Sequence, residues 1–456
     1  MSKKFISRDD AVEMIDCLGD EFTVIKNPDY IFPAYEICPM AGKVHSVKGT
    51  IPAFVMDMDG TTTTTELLCL HSLEYMIRLF TGRMSGDEWA GLDHALDYPH
   101  IIGNSTTKHV EYLVEKYGNS FRKDDIKNSF IHAALWTLMN GRDEKRKEEV
   151  RNNVKILKLS PMLQDPVFKR MEMNPTSFEI TPEILKNFTD NYGSDFSCPT
   201  FDSLVRAGID VYYKRYHEIL ETIKKGEGRR VALDIFHEAE KHLIESMPGV
   251  LTFLSIINGW IAGEEIVYFM PQLLKDYKTR TGIEFPCDSV HDVQASLKQL
   301  AGNYRKNPAK KALVTSSIFY EADIVMKELM AMLQFQVMNI DMPKLLKEFL
   351  LEKFSDYNNV YDAFITASDS SEMRLKPHRD LYSTALYKLH VPKEQFNRVA
   401  GFEDSESGTI AIRTAGIGLC VALPFAQTKK HDLSAACYVC EGGLPEVLLR
   451  HKLFTV

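Results

Sequence analysis

The distribution of apolar residues changes twice along the chain. The run Phe54–Met56 is apolar without interruption, as is typical of a strand that is covered on both faces, and it stops at Asp57. From Leu67 to about residue 310 apolar residues recur at helical spacing, and strand signals are few. After Lys311, short apolar runs again alternate with helical segments. This alternation predicts an α/β fold with a parallel sheet and right-handed crossovers.

Polar side chains follow the predicted strands where each strand ends. The ligand site of an open parallel sheet lies at the carboxyl ends of its strands, so a fold of this kind would bring these residues together. They are Asp57 and Asp59, then Thr315, then Lys376, then Glu403 with Asp404.

The chemistry of this set is complementary and suits phosphoryl transfer. The carboxylates can bind a hard cation, the hydroxyl and the lysine can bind phosphate oxygens, and an aspartate can attack phosphorus in line. Mg²⁺ fits better than zinc because the candidate ligands are oxygens. Asp57 and Asp59 stand two apart on an extended chain, so one can act ionised and the other as a protonated general acid. The alternative is a strand that simply ends in turn residues.

Four segments, in this order, resemble the motifs of the haloacid dehalogenase (HAD) superfamily. They are Asp57-Met58-Asp59-Gly60-Thr61, Thr315 after an apolar strand, Lys376-Pro377, and Phe402-Glu403-Asp404-Ser405-Glu406-Ser407-Gly408. The last motif is most similar to the branch that contains small-molecule phosphatases and beta-phosphoglucomutase. The resemblance implies a Rossmann-like, doubly wound parallel sheet with a large α-helical cap inserted after the first strand.

The resemblance also implies a role for each matched residue. Asp57 would be the nucleophile that forms an aspartyl phosphate. Asp59 would protonate the leaving oxygen and later take a proton from the attacking water. Thr315, Ser316 and Lys376 would hold the phosphoryl group. The acid at Asp59 favours phosphate esters, because family members that cleave carbon–halogen or phosphonate bonds lack an acid there.

The implied metal site is built from oxygen atoms. Asp404, the Asp57 carboxylate and the Asp59 backbone carbonyl would bind Mg²⁺, and Glu403 would either bind it directly or support the ligands. Within the insert, the segment from residue 98 to 105 is similar to a cap loop that reaches into the site, which makes Gly103, Asn104 and Ser105 candidate substrate-binding residues. The alternative there is a plain loop followed by a helix N-cap at Ser105.

We predict three parts of the chain. Residues 1–50 form an amino-terminal extension packed on the core, residues 51–61 with 311–456 form the catalytic core, and residues 62–310 form the cap, with an extra insertion at about 140–240. Three features depart from the family pattern. The family often has an acid soon after its first motif, where this chain has Thr64 and Thr65. The cap is several times longer than usual, and Met247–Val250 resembles the segment that normally leads directly into the second motif, although about sixty residues intervene here.

Composition places the chain among ordinary globular proteins. It has 456 residues, of which 45% are hydrophobic and 26% charged, and two or three domains are expected at this length. The net charge of -9 argues against a nucleic-acid binder. We see no secretory signal at the amino terminus, and the apolar segment from residue 247 to 262 is too interrupted for a membrane span.

The eight cysteines favour a reducing compartment. Only Cys437 and Cys440 have a metal-like spacing, and no second pair or histidine stands at the right distance to complete a zinc site. We therefore interpret both as reduced core residues of a cytoplasmic protein.

These features together lead us to expect a Mg²⁺-dependent phosphatase of a small phosphorylated metabolite, for which a sugar phosphate is one candidate. The nearest alternative is a beta-phosphoglucomutase-like phosphomutase. Such mutases place a histidine ten residues after the second acid, where this chain has Cys69, with His71 two positions further on, so hydrolysis is favoured. A non-catalytic binding or regulatory protein that uses the helical insert is the other alternative. The sequence indicates neither the ester that is cleaved nor the number of subunits.

Overall fold

The computed structural model describes residues 5–27, 31–102, 105–174, 179–236, 242–371 and 374–456. The chain forms two compact units. One contains the residues up to Thr65 and those from Ile244 onward, and the other is Glu66–Leu243. Among the described residues, no helix combines the length and the apolar character that crossing a membrane requires.

The first unit is built on a six-stranded parallel sheet. The strands of the described chain, in order, are β1 (Phe22–Lys26), β2 (Tyr35–Pro39), β3 (Ala53–Asp57), β4 (Lys310–Val314), β5 (Ala363–Ile365), β6 (Ala400–Glu403), β7 (Leu419–Ala422) and β8 (Tyr438–Val439). β1 and β2 form a separate antiparallel pair. The other six are ordered β5-β4-β3-β6-β7-β8, and every neighbouring pair is parallel. The predicted α/β class with a parallel sheet is confirmed.

The sheet grows in both directions from β3. β4 and β5 extend it on one side, and β6, β7 and β8 extend it on the other. Where the strand order reverses in this way, the connections leave the sheet on opposite faces and open a crevice at the carboxyl ends of the strands. The crevice of this sheet therefore lies at the ends of β3, β4 and β6.

Helices account for most of the remaining described chain. In order they are α1 (Arg8–Asp16), α2 (Glu66–Thr81), α3 (Tyr98–Ile101), α4 (Thr106–Tyr117), α5 (Lys123–Asn140), α6 (Glu144–Ile156), α7 (Pro166–Met173), α8 (Pro182–Tyr192), α9 (Phe201–Lys224), α10 (Gly228–Phe236), α11 (Val250–Ile257), α12 (Ile266–Thr281), α13 (Cys287–Lys306), α14 (Phe319–Asn339), α15 (Lys344–Lys353), α16 (Tyr357–Val360), α17 (Asp380–Lys388), α18 (Glu406–Thr414) and α19 (Gly443–Leu449).

Both faces of β3 are buried. Val55 lies in one apolar cluster with Leu381 of α17 and Ile412 of α18. Phe54 points to the opposite face and packs edge-to-face on Phe253 of α11, with ring centroids 5.4 Å apart. A strand buried on both faces has no polar side, which explains why its apolar run shows no alternation.

The compact helical unit ends at Leu243, whereas the sequence-based prediction extended the cap to about residue 310. α11 and α13 belong to the unit that contains the sheet, where α11 supplies Phe253 and the hydroxyl of Tyr304 in α13 accepts a hydrogen bond from the Ile51 N–H at 3.1 Å. Helical periodicity reveals an apolar face but not the surface that buries it. These helices therefore cannot be told from an insert by their sequence pattern.

The segments that lead into and out of Glu66–Leu243 are joined to each other within the first unit. The Thr64 N–H donates to the Glu245 carbonyl at 2.9 Å, and the Glu245 N–H donates to the Thr64 hydroxyl at 3.0 Å. The Met247 N–H donates to the Thr62 carbonyl at 3.0 Å. The two segments thus run antiparallel, side by side.

The second unit is helical in its described residues and is centred on α9, which contacts α2, α4 and α5. Gly208 permits this close packing, because a Cβ there would lie 2.7 Å from a methyl group of Val110 and 2.9 Å from the sulfur of Met76. The buried carboxylate of Asp210 pairs with the Arg146 guanidinium and accepts a hydrogen bond from the Asn153 amide at 3.0 Å.

The amino-terminal segment is attached to the sheet unit through Arg413. This side chain is fully buried in α18. Its Nε donates to the Ala41 carbonyl and its Nη1 to the Ala435 carbonyl, each at 2.6 Å, and its Nη2 contacts the Glu21 carboxylate. One side chain therefore links residues from both ends of the chain.

Candidate active site

Asp57 is the last residue of β3 and is buried between the ends of β4 and β6. A tight loop follows it. The Thr62 hydroxyl donates to the Asp57 carbonyl at 2.6 Å, and the N–H groups of Thr62 and Thr63 both donate to the Met58 carbonyl. These bonds fold the threonine-rich segment back on the strand end.

Lys376 reaches this carboxylate from the other half of the sheet unit. Its ammonium group donates to Asp57 Oδ1 and, at 2.5 Å, to Glu403 Oε1. It also lies over the Tyr382 ring, 5.5 Å from the centroid. The structure therefore brings together Asp57, Lys376 and Glu403, three of the predicted residues. Lys376 stands 319 positions after Asp57 and 27 positions before Glu403 in the sequence.

Glu403 accepts five hydrogen bonds. Its Oε1 accepts from Lys376 and from the Tyr382 hydroxyl at 3.1 Å. Its Oε2 accepts from the Asp404 N–H, the Ser405 N–H and the Ser405 hydroxyl, at 2.9 to 3.0 Å. Because the lone pairs of both oxygens are engaged in this way, the side chain suits the positioning of Lys376 better than direct binding of a metal ion.

Asp404 completes a group of oxygen atoms suited to a divalent cation. Carboxylate oxygens of Asp57, Glu403 and Asp404 lie within 4.8 Å of one another, and all three side chains are buried. Gly60 (φ +81°) permits this approach, because a Cβ there would lie 2.8 Å from Asp404 Cγ. Hard oxygen donors without nitrogen or sulfur are the ligands that Mg²⁺ prefers, so Asp57 and Asp404, with Glu403 beside them, fit that ion.

Asp59 is held by two hydroxyl groups. Thr315, directly after β4, donates to Asp59 Oδ2 at 2.9 Å, and Thr65 donates to Asp59 Oδ1. The Thr315 hydroxyl also accepts a hydrogen bond from the Ser317 N–H at 3.0 Å. Thr315, which is predicted to bind phosphate, thus contacts the carboxylate of Asp59 in this structure.

The surroundings raise the pKa values of Asp59, Asp57 and Lys376, but from different causes. Burial raises the pKa of Asp59, although the hydrogen bonds from Thr65 and Thr315 act to lower it. Burial also raises the pKa of Asp57, and Lys376 opposes this effect. For Lys376 itself burial lowers the pKa, but the charges of Asp57 and Glu403 outweigh burial and hold that pKa above its usual value. Lys376 is therefore cationic, and Asp59 is biased towards its protonated form.

Four other predicted residues lie elsewhere or outside the description. Ser316 is exposed, next to Thr315. Ser105 is exposed at the N-cap position of α4 in the helical unit, and its side chain makes no capping hydrogen bond. Gly103 and Asn104 lie outside the described residues.

Three contributors to the site are absent from the sequence-based prediction. Tyr382 and Thr65 supply hydrogen bonds to Glu403 and Asp59, and Arg280 of α12 donates to the Pro424 carbonyl at 2.8 Å. Asp404 raises the pKa of the Arg280 guanidinium, although burial has the larger, lowering effect. Tyr382 stands six positions after Lys376 and could have been suspected, whereas nothing in the helical pattern around Arg280 marks it.

A narrow cavity lies beside the loop that follows β3. Its volume of about 10 Å³ is roughly that of one water molecule, so it is too small for a substrate. The residues that line it are Gly60, Thr61, Met247, Pro248, Arg280, Leu423, Gly443 and Leu444.

No protein-family model matches the chain, and no curated protein matches it in sequence. Solved structures do show a distant likeness. CbbY from Rhodobacter sphaeroides in complex with phosphate is 13% identical, with 87% of this chain and 96% of that chain covered and a TM-score of 0.36. Beta-phosphoglucomutase from Clostridium difficile is 12% identical, with coverages of 87% and 93% and a TM-score of 0.34. A HAD family hydrolase from Deinococcus radiodurans R1 with bound phosphate and sodium is 11% identical, with coverages of 89% and 98% and a TM-score of 0.35. Likenesses this distant do not by themselves indicate what this chain does.

Proposed function

We propose that the chain is a Mg²⁺-dependent phosphatase that hydrolyses a small phosphorylated metabolite through an aspartyl phosphate on Asp57. The observation that carries this proposal is the contact of Lys376 with Asp57, next to the buried Asp404, at the strand ends where the sheet order reverses. A carboxylate nucleophile, a fixed cation and a cluster of oxygen ligands are what phosphoryl transfer needs.

Each residue has a defined task in the proposed reaction. An oxygen of Asp57 attacks phosphorus, and the bond from phosphorus to the ester oxygen breaks. Asp59 gives its proton to that oxygen, which leaves as the alcohol. In the second half Asp59 takes a proton from water as the water oxygen attacks phosphorus. The bond from phosphorus to the Asp57 oxygen breaks, which regenerates the carboxylate and releases inorganic phosphate.

Lys376 and the acidic group divide the electrostatic work. Lys376 neutralises charge on the transferred phosphoryl group, and Glu403 with Tyr382 holds the lysine in place. Asp57, Asp404 and the Asp59 carbonyl would hold Mg²⁺, with Glu403 supporting them. When bound, the ion neutralises phosphate oxygens and favours the ionised form of Asp57.

We place this reaction in the cytoplasm, with a small phosphorylated compound as the substrate and neither nucleic acid nor membrane as a partner. The free state of the cysteines suits a reducing compartment. Substrate choice is assigned to the helical unit Glu66–Leu243, which occupies the place of a cap between the first two motifs.

A panel of phosphate esters assayed with and without Mg²⁺ tests the proposal. We expect phosphate release that depends on the metal, and we expect Asp57→Asn to lower kcat by at least about 10³-fold because it removes the nucleophile. The matched control is Asp362→Asn, since Asp362 pairs with Lys311 at the opposite ends of the strands and should leave kcat unchanged.

Three results would contradict the proposal. Full activity in Asp57→Asn would remove the nucleophile assignment. An isomerised sugar phosphate without phosphate release would identify a phosphomutase instead, and a lack of turnover across the panel would favour a binding protein.

A further inference from the structure

A second group of metal-binding side chains lies near the carboxyl terminus. Cys440 follows β8, Glu446 lies in α19 and His451 follows that helix. Ligand atoms of these three residues all lie within 4.8 Å of one another. On sequence spacing alone Cys440 has no histidine partner, but the short helix α19 turns the chain so that His451 returns to it.

We propose that Cys440, Glu446 and His451 bind one transition-metal ion of the zinc type. Tetrahedral zinc, with bonds of about 2.0 to 2.3 Å, places its ligand atoms roughly 3.3 to 3.8 Å apart. Glu446 Oε1 and His451 Nε2 are already 3.7 Å apart. A thiolate, an imidazole and a carboxylate together select a borderline-soft ion and disfavour Mg²⁺, in contrast to the all-oxygen set around Asp57.

The two outer ligands are already oriented by their neighbours. Glu446 Oε2 accepts a hydrogen bond from the Gly442 N–H at 2.7 Å, which leaves Oε1 on the side of His451. The His451 ring stacks on Phe454, with centroids 4.9 Å apart, and packs against Tyr438. A hydrogen bond to the second carboxylate oxygen orients a ligand in metal sites. Packing against Phe454 and Tyr438 restricts rotation of the His451 ring.

The three side chains of the proposed metal site differ in their exposure to solvent. Cys440 is fully buried, whereas the side chains of Glu446 and His451 are 20% and 29% exposed. An ion can therefore enter from solvent past the carboxylate and the imidazole, with the thiol closing the inner side. On binding, the thiol proton leaves to solvent and the thiolate becomes the third protein ligand. Water fills the fourth position.

The proposed ion would hold the end of the chain. The three residues after His451, from Lys452 to Phe454, have φ angles of 50° to 57°, the left-handed region that side chains with a Cβ disfavour. Leu453 and Phe454 are nonetheless buried. An ion that joins His451 to Cys440 would oppose release of this segment, which gives the site a structural role.

Cobalt substitution tests this site in the full-length protein. We expect Co²⁺, added to the metal-free protein, to produce sulfur-to-metal charge-transfer absorption that Zn²⁺ removes and Mg²⁺ does not. The band should be lost in Cys440→Ala, and the affinity for Co²⁺ should fall at least tenfold in His451→Gln. Zn²⁺ should raise the Tm of the unaltered protein but not that of either variant.

Two matched variants separate this site from other metal binding. Cys437→Ala removes a thiol three positions away and should keep the band. Asp57→Asn alters the catalytic group, which has no sulfur, and should keep it too. The proposal is overturned if the unaltered protein gives no sulfur band, or if the band survives Cys440→Ala with unchanged affinity. If Cys440→Ala does not fold, as judged by circular dichroism, His451→Gln decides alone, and unchanged affinity in that variant overturns the proposal.

Discussion

At the scale of single residues, Asp59, the proposed general acid, is subject to two opposing influences on its pKa. Burial in the crevice favours the protonated form, while the hydroxyl groups of Thr65 and Thr315 donate to the carboxylate and favour the ionised form. A general acid works best when its pKa lies near the working pH. The two hydroxyl groups therefore limit a rise in pKa that burial alone would drive further.

Thr65→Val should move the alkaline limb of the kcat profile to higher pH. The substitution removes a hydrogen bond that stabilises the ionised carboxylate, so the pKa of Asp59 rises and the acid stays protonated at higher pH. Measurement of kcat against pH at saturating Mg²⁺ checks this shift.

The neighbouring Thr64 provides the control for this shift. Its hydroxyl bonds to the backbone of Glu245, not to Asp59, so Thr64→Val should leave the alkaline limb in place. An alkaline limb that stays fixed or moves to lower pH in Thr65→Val would show that Asp59 is not the acid that this limb reports.

The charged residues of the site were accessible from sequence because their position follows from strand ends. Asp57, Lys376 and Asp404 could be expected to meet once the apolar runs before them were recognised as parallel strands. Thr65 could not be assigned in this way, because a hydrogen-bond partner depends on the exact direction of a side chain. That direction is decided by packing and not by local pattern.

At the scale of elements, the strands were easier to predict than the unit in which each helix packs. An apolar run covered on both faces, such as that of β3, leaves a clear mark in the sequence. The sequence of α12 gives no comparable indication of its role, although Arg280 of this helix donates to the carbonyl of Pro424, which follows β7. An amphipathic helix of the sheet unit and one of the helical unit look alike in sequence.

Arg280→Met should tighten Mg²⁺ binding severalfold. The guanidinium is a largely buried positive charge that interacts with Asp404, and a cation near a metal site repels the metal. Removal of that charge should therefore favour the ion. Calorimetric titration of the protein with Mg²⁺ measures the effect without reference to activity.

Arg280→Lys separates charge from shape. The lysine keeps the charge but not the planar donor geometry that serves the Pro424 carbonyl. Binding of Mg²⁺ close to that of the unaltered protein is expected in this variant. If Mg²⁺ binding were weakened equally in Arg280→Met and Arg280→Lys, the role of Arg280 would instead be to hold the loop after β7 in place.

At the scale of the whole molecule, Arg413 joins the amino-terminal segment to the sheet unit. Arg413→Met should lower the free energy of unfolding by about 2 to 4 kcal/mol, because it leaves the carbonyls of Ala41 and Ala435 without their donor and Glu21 without its partner. Urea denaturation followed by circular dichroism measures the loss.

The exposed Arg398 serves as the comparison for this loss. Its guanidinium donates to the Thr50 carbonyl at 3.2 Å, so it too bonds to the amino-terminal segment. Because that bond is in contact with water, Arg398→Met should change stability by less than about 0.5 kcal/mol. Equal losses in the two variants would contradict the special role of the buried side chain.

The backbone pairing of Thr64 with Glu245 has a consequence for the history of such a chain. The two ends of Glu66–Leu243 are attached at neighbouring points, so the length of this segment does not affect the sheet unit. The segment can therefore be lengthened, replaced or excised while the sheet unit keeps its geometry. Evolution could then change residues 66–243 as one module without altering the proposed catalytic residues at the carboxyl ends of the strands.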